Sequence, residues 1–261
     1  MTTIDKIVNL KKHPINSLND YVIDCHNKLN KEYVLQLDSF LTEEAVKNIK
    51  LEADNLKHHA YYCSQFHTIL LNKKNKNLSD KDPCNIEVKS DKGCVPHDMI
   101  PKNSYLNILY YSNEFRDFIK SVLDLKNIYP YKDPLSSINY NYYDKTQQLG
   151  WHFDDASFAI TLMINSPKKG GIFQYFTQGR DYKNNYINKK LIRSVLNENE
   201  KINELTVNPG TLILFYGRNY LHRVTPIESE KGRILVTLNY NLEEDIELSE
   251  NARKTFFGRL D

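Results

Sequence analysis

His152 and Asp154 stand two residues apart in Trp151-His152-Phe153-Asp154, ahead of an apolar and small-residue run from Ala156 to Asn165. Residues two apart on a β-strand point to the same face. An imidazole and a carboxylate are therefore aimed at one point in space. A candidate third ligand lies far downstream, in Gly217-Arg218-Asn219-Tyr220-Leu221-His222. Two histidines and one carboxylate on one face of an Fe(II), with the other face open, make a facial triad. Eleven residues beyond His222 comes Arg233, which opens a strand-like run to Tyr240. A guanidinium there can hold a dicarboxylate through paired hydrogen bonds.

Single histidines carry little weight here. The chain has eight, among them His13, His26, His58, His59, His67 and His97. The ordinary fate of a strand histidine is a hydrogen bond to a backbone carbonyl. Asp154 changes the balance, because a carboxylate in an apolar strand is costly to bury unpaired. Asp155 adds a second acid, and a metal cation would offset both charges. The last strand extends the face argument. Arg233, Leu235, Thr237 and Asn239 share one face by period two, and Ile234, Val236, Leu238 and Tyr240 take the other. A polar inner face suits a cosubstrate pocket. Ser136–Tyr143 alternates likewise, with Ile138, Tyr140 and Tyr142 against Ser137, Asn139, Asn141 and Tyr143, where only Tyr143 breaks the polar pattern.

Other chemistries fit worse. There is no His-Glu-x-x-His of a zinc protease and no glycine-rich nucleotide loop, and Gly170-Gly171 reads as a turn. A net charge of +2 implies no polyanionic partner, so nucleic acid is not expected. The Lys-rich 72–83 segment reads as a solvated loop. No run approaches the roughly 18 apolar residues of a membrane helix, and the N-terminus has no apolar signal core, which predicts a cytoplasmic protein with no membrane partner. Cys25, Cys63, Cys84 and Cys94 form no Cys-x-x-Cys pair and read as free thiols.

Along the chain, the spacing predicts a helix through Leu18–Lys28 and a strand over Glu32–Leu41. Thr42 reads as an N-cap, followed by Val46, Ile49, Ala53 and Leu56 at helical spacing. Residues 72–104 read as a long polar loop, a lid or substrate-side segment. Ser112 reads as the cap of a helix carrying Phe115, Phe118, Ile119, Val122 and Leu123. From about residue 130 the period shifts to strands: Ser136–Tyr143, one or two within Trp151–Asn165, Gly171–Phe176, Thr211–Tyr216 and Arg233–Asn241. A polar insertion at about 179–206 is expected to be helical around Lys189–Leu196. The expected fold is α+β with a mainly β core. It is a double-stranded β-helix, a cupin-like jelly roll, with buttressing helices from a helical part at 1–130 and the core at 131–261, in one domain over 1–261.

The order His-x-Asp, His, Arg is the signature of 2-oxoglutarate-dependent oxygenases. Beyond it, WHFDDASFAITLMI, GGIFQYFTQGRDYKNNY, NPGTLILFYGRNYLHRVTP, GRILVTLNY and the terminal TFFGR resemble a narrower group. These are the bacterial 2-oxoglutarate and Fe(II) oxygenases that include the lysine radical halogenases and their hydroxylase relatives. The resemblance runs from about Asp133 to the C-terminus. It implies Fe(II), 2-oxoglutarate and O₂, with iron on His152, Asp154 and His222 and the distal carboxylate on Arg233, beside Asn141 and Thr237. The halogenases have Gly or Ala where Asp154 stands, so the resemblance implies a hydroxylase. Asp155 matches an acid that contacts the substrate amine, and Asn139, Asn239 and Phe257 join it as expected substrate contacts. Two positions depart from the lysine enzymes: Leu149 stands for a histidine, and Ser136 for a glutamate with a one-residue gap. The implied substrate is a small free amino acid with a basic group, with a carrier-bound or peptidyl residue, or another small biosynthetic metabolite, as the alternative. A non-catalytic jelly-roll binding protein fits less well, because the triad and Arg233 are intact.

Overall fold

The computed structural model describes residues 3–17 and 20–261. The chain opens with α1 (Ile4–Ile7), α2 (Asp20–Glu32), β1 (Val34–Leu37) and α3 (Glu43–Leu56). β2 (Tyr61–Thr68), β3 (Glu87–Val95), α4 (Tyr105–Tyr111) and α5 (Asn113–Val122) follow. Then come β4 (Ile138–Tyr143), β5 (Gln148–His152), β6 (Ala159–Asn165) and β7 (Phe173–Phe176). A small hairpin of β8 (Arg180–Asp181) and β9 (Tyr186–Ile187) leads to α6 (Lys189–Leu196) and β10 (Asn203–Leu205). β11 (Leu212–Phe215), β12 (Leu221–Val224), β13 (Arg233–Leu238) and α7 (Glu250–Phe257) complete the chain.

Local chemistry explains the helices. Thr42 Oγ1 accepts from the Ala45 backbone N–H at 3.1 Å, and Ser112 Oγ accepts from that of Phe115 at 3.2 Å. Both expected caps thus form, each typically contributing about 1 kcal/mol. Ala45, Ile49 and Ala53 make the buried stripe of α3, and Phe115, Phe118, Ile119 and Val122 that of α5. The helix expected over 18–28 runs on to Glu32, and its expected first two residues lie outside the described residues. It takes Glu32 from the expected strand. Tyr33, at φ 65°, then turns the chain, so β1 spans only Val34–Leu37.

Among the described residues, eleven strands form one sheet, in the order β1-β11-β6-β13-β4-β3-β5-β12-β7-β10, with β2 paired to β3. Its ladders are antiparallel. The sheet curls over on itself. Phe173 and Tyr175 of β7 meet Phe215 of β11 at ring-centroid distances of 5.3 and 5.7 Å, though six strands separate them in the sheet order. This is the expected jelly roll. One wall holds β11, β6, β13 and β4; the other holds β5, β12 and β7.

The corner between the walls is β3, inside the stretch expected to be a loop. Gly93, Cys94 and Val95 pair with Tyr142, Asn141 and Tyr140 of β4, whereas Ser90 and Asp91 pair with Leu149 and Gln148 of β5. Residues 72–104 are thus not a structureless lid. The part expected to be helical, 1–130, likewise gives three strands to the sheet. β3 reads as a loop because its inward residues are polar: Ser90 and Lys92 face the central cavity rather than an apolar core.

The outer face of the first wall is greasy and covered by helices. Ile138, Tyr140, Ile160, Leu162, Leu212, Leu214, Val236 and Leu238 share one buried cluster with Ile49, Ala53, Phe115 and Phe118. Burying each such side chain contributes about 1.5–3 kcal/mol. The Tyr140 hydroxyl donates to the Glu52 carboxylate at 2.7 Å, and that of Tyr142 to the Ala53 carbonyl at 2.7 Å. The insertion covers the second wall. Ile192 and Val195 of α6 pack with Trp151 and Leu221, on the strands that carry His152 and His222, and with Phe153 just past the end of β5. No helix among the described residues is long and apolar enough to cross a membrane.

Candidate active site

β5 and β12 are neighbours, and His222 lies directly opposite His152 in their ladder. The two rings sit 4.1 Å apart between centroids. The register shifts just after His222, a local irregularity of the kind that re-aims side chains near sites. Asp154 lies beyond the end of β5. Its backbone N–H donates to the Gly217 carbonyl at 3.0 Å, which holds the chain after the strand ends. Asp154 Oδ1 stands 3.3 Å from His152 Nε2 and 3.5 Å from His222 Nε2. All three candidate ligand atoms lie within 4.8 Å of one another.

The hydrogen bonds around the histidines show what this cluster can hold. His152 Nδ1 is 2.8 Å from the Gly150 carbonyl, and His222 Nδ1 is 2.9 Å from the Tyr220 carbonyl. A carbonyl only accepts, so each Nδ1 carries a proton. In the neutral rings each Nε2 then turns a lone pair inward. Burial lowers the pKa of His152, as does the nearby His222, which favours that neutral form. Burial raises the Asp154 pKa and the two histidines lower it, with the net shift downward. With both rings neutral, two lone pairs and a carboxylate oxygen converge on one point. A cation satisfies all three, and second partners on Nδ1 are the usual way metal-binding imidazoles are oriented. The donor set fits Fe(II).

The triad faces a cavity of about 210 Å³ between the two walls. Arg233 lines it from β13, 2% exposed, with its guanidinium 5.6 Å from the centre of the Tyr143 ring. Burial lowers its pKa, and its Nε and Nη1 have no hydrogen-bond partner. A buried cation with free donors is expensive unless an anion meets it. A carboxylate group of 2-oxoglutarate would do so. Asn141 and Thr237 line the same cavity, and Asn141 Nδ2 lies 3.4 Å from Thr237 Oγ1.

Other expected contacts fall elsewhere. Asn139 and Asn239 share a strand face with Asn141 and Thr237, but their amides donate to the Leu135 and Ser136 carbonyls and lie outside the cavity lining. They tie the 135–137 segment to the sheet. Phe257 is buried with Cys94 and Leu135; its neighbour Phe256 lines the cavity instead. Asp155 lines a separate surface cavity with Tyr131 and Arg218. Burial and the adjacent Asp154 raise its pKa.

The reading of the residues alone overlooked Lys92. Its ammonium donates to Asn141 Oδ1 at 2.6 Å and sits 4.9 Å from the Phe256 ring centre, within the cavity lining. It forms no ion pair with a carboxylate among the described residues. The available signal was a period-two run: Cys63, Gln65 and His67 of β2 all line the cavity, and β2 pairs along its length with β3. Tyr143, out of place on a polar face, is the buried ring beside the Arg233 guanidinium.

Fold and cavity together define a class: a jelly roll with a two-histidine, one-carboxylate cluster between its walls. Solved structures of this class superpose on the chain. An oxidoreductase of the 2OG-Fe(II) oxygenase family from Burkholderia pseudomallei has a TM-score of 0.55 at 13% identity, over 87% of this chain and 93% of that one. A Pseudomonas putida prolyl-4-hydroxylase has a TM-score of 0.51 at 13% identity, over 83% and 96%. The non-heme alpha ketoglutarate dependent epimerase SnoN from nogalamycin biosynthesis reaches 0.56 at 8% identity, over 85% and 80%. Likeness at such identities establishes the shared fold. No curated protein matches the chain. The model of the halogenase D family matches residues 18–257, and the chain belongs to that family.

Proposed function

We propose that this protein is an Fe(II)- and 2-oxoglutarate-dependent oxygenase that hydroxylates an sp³ carbon of a small free amino acid with a basic group. The observation that carries the reading is one cavity holding both the convergent His152–Asp154–His222 donors and the unpartnered Arg233 guanidinium. His152, Asp154 and His222 would hold the iron. When bound, it would supply oxygen activation coupled to oxidative decarboxylation of 2-oxoglutarate. Arg233 would anchor the distal carboxylate, with Asn141 and Thr237 beside it. The apolar lining from Phe173, Phe215 and Leu235 excludes water from the reacting centre.

Two further features support the substrate class. Lys92 offers a second, half-buried cation, suited to the carboxylate of an amino acid. Asp155 is the acid that the resemblance assigns to the substrate amine. It stands outside the triad's cavity, so this role needs the basic end of the substrate to reach past Asp154. Asp154 also bears on the choice of reaction. With a carboxylate in the triad, the position that the related halogenases leave for chloride is taken. Hydroxylation therefore follows, despite the family's name.

The test is turnover of 2-oxoglutarate to succinate with Fe(II) and each of the twenty amino acids plus ornithine, followed by mass spectrometry of products with and without chloride. A basic amino acid should stimulate succinate formation and gain one oxygen atom. Chlorinated product from the unaltered enzyme would overturn the hydroxylase reading. Stimulation by no free amino acid would move the substrate to a carrier-bound or peptidyl residue. Asp155→Asn should raise the KM of a basic substrate and leave Fe(II) affinity unchanged; an unaltered KM removes Asp155 from substrate binding.

A further inference from the structure

Gly217 lies in the loop between β11 and β12, five residues before His222. Its backbone is not in the left-handed region, so conformation alone does not call for glycine there. Space does. A Cβ at position 217 would stand 1.8 Å from Asp154 Oδ2, 2.6 Å from its Cγ and 3.0 Å from its Cβ. Swinging the carboxylate about its last bond relieves only the first contact. Relieving the second requires turning the whole side chain about Cα–Cβ, which takes the carboxylate away from both imidazoles.

The loop has little freedom to retreat instead. Asp154 N–H donates to the Gly217 carbonyl at 3.0 Å. The Arg218 guanidinium donates to the Asp155 carbonyl from both Nε, at 2.8 Å, and Nη2. The Arg218 carbonyl in turn accepts from Arg180 Nη1 at 3.0 Å. The segments 154–155 and 217–218 are thus laced together, and separating them costs several hydrogen bonds.

We infer that Gly217 is the positioning residue for the carboxylate arm of the triad: the side chain it lacks is the space that the Asp154 carboxylate fills. The inference rests on the reading of the triad as a metal site. It adds that a Gly217 substitution is a route to a two-histidine site that leaves Asp154 itself unchanged. Residue types at 154 and 217 are therefore coupled through one small volume.

The experiment compares the full-length protein with Gly217→Ala, Asp154→Ala and the double variant, using Co(II) as the probe in calorimetric titrations, with thermal unfolding alongside. Gly217→Ala should weaken Co(II) binding about 10–100-fold, the range typical when the support of a metal ligand is lost. Asp154→Ala should weaken it at least as much, and the double variant should be no weaker than Asp154→Ala, because the two changes act on one group. The double variant should also recover the unfolding temperature that Gly217→Ala loses, since the clash partner is gone. Wild-type affinity in Gly217→Ala overturns the inference, as does a double variant that loses both factors in full. If Gly217→Ala does not fold, a folded double variant supports the inference and an equally unfolded one overturns it. Should Asp154→Ala bind Co(II) like wild type, the triad reading fails instead. A crystal structure of Gly217→Ala then decides the steric claim, which is lost if the Asp154 carboxylate still faces both imidazoles.

Discussion

The two walls of the cavity present opposite electrostatic problems. On the β5–β12 wall, His152 and His222 are held by backbone carbonyls so that neutral nitrogen lone pairs and the Asp154 carboxylate face inward. On the β3–β4–β13 side, Lys92 and Arg233 turn cationic donors inward with no carboxylate partner among the described residues. One wall lacks a cation and the other lacks anions. Neither arrangement is one that folding alone favours, since a buried charge without a partner costs several kcal/mol. The contrast is what the proposed reading requires of two walls with separate ligands: a metal on one side and carboxylates on the other. Each can therefore be broken independently.

The largest effect is expected on the metal wall. His152→Ala or His222→Ala should abolish Fe(II)-dependent decarboxylation of 2-oxoglutarate with the fold intact by circular dichroism. Either variant turning over at the wild-type rate would falsify the ligand assignment. Next comes Arg233→Ala, which should raise the apparent KM for 2-oxoglutarate by roughly 10- to 150-fold, as the loss of about 1.5–3 kcal/mol from a charged hydrogen bond implies. The KM of the prime substrate should move far less. An unchanged 2-oxoglutarate KM would move the anchor elsewhere, with Arg218 or Arg223 next in line.

Lys92→Met sharpens the comparison within the cationic side. It should raise the KM of the proposed amino-acid substrate about tenfold, the lower end for a hydrogen bond to a charged group. The KM for 2-oxoglutarate should stay near wild type. If the two shifts are reversed, Lys92 serves the cosubstrate, and the two cations form one site rather than two.

The smallest effect concerns stability. Burial lowers the pKa of His13, His67 and His152 from the ordinary 6.5. Each is thus neutral in the folded chain where the unfolded chain already takes up a proton. The unfolded state binds more protons below 6.5, so stability rises with pH there. The contribution is full above 6.5 and is lost as pH falls through the folded values. The urea midpoint of the metal-free protein should drop between pH 7.5 and 5. His67→Asn should flatten that drop, because burial of the His67 ring between the Thr68 carbonyl and the Ser90 hydroxyl is what disfavours its charged form. A midpoint equal at both pH values would mean that these rings titrate alike folded and unfolded.

What could be read from the residues follows this same division. The candidate metal wall is written partly locally: the spacing of His152 and Asp154 marks the pair in the sequence, although β5 ends at His152 and the Gly217 carbonyl holds the chain at Asp154. The helix caps Thr42 and Ser112 and the inward face of β13 are equally local, because hydrogen bonds and side-chain alternation act over a few residues. β3 was hidden for the opposite reason. A strand whose inward residues, Ser90 and Lys92, are themselves polar has no apolar period to display, so Glu87–Val95 reads as a loop. Lys92 was hidden with it, since nothing near it in sequence tells an ammonium aimed at a cavity from one in solvent.

By itself, then, the sequence determined the strand that carries His152, the face that carries Arg233 and Thr237, and the helices whose stripes bury on the sheet. Only the tertiary structure decided that β3 turns the corner between the walls and that Phe256, not Phe257, closes over Lys92. It alone sent Asn139 and Asn239 to backbone carbonyls and set Asp155 in a separate cavity. Above all, it placed the Asp154 carboxylate in the space left by Gly217, sixty-three residues away. Alternation and capping arise from the chain's own covalent geometry, whereas charge pairing and excluded volume depend on which distant segments the curled sheet brings into contact.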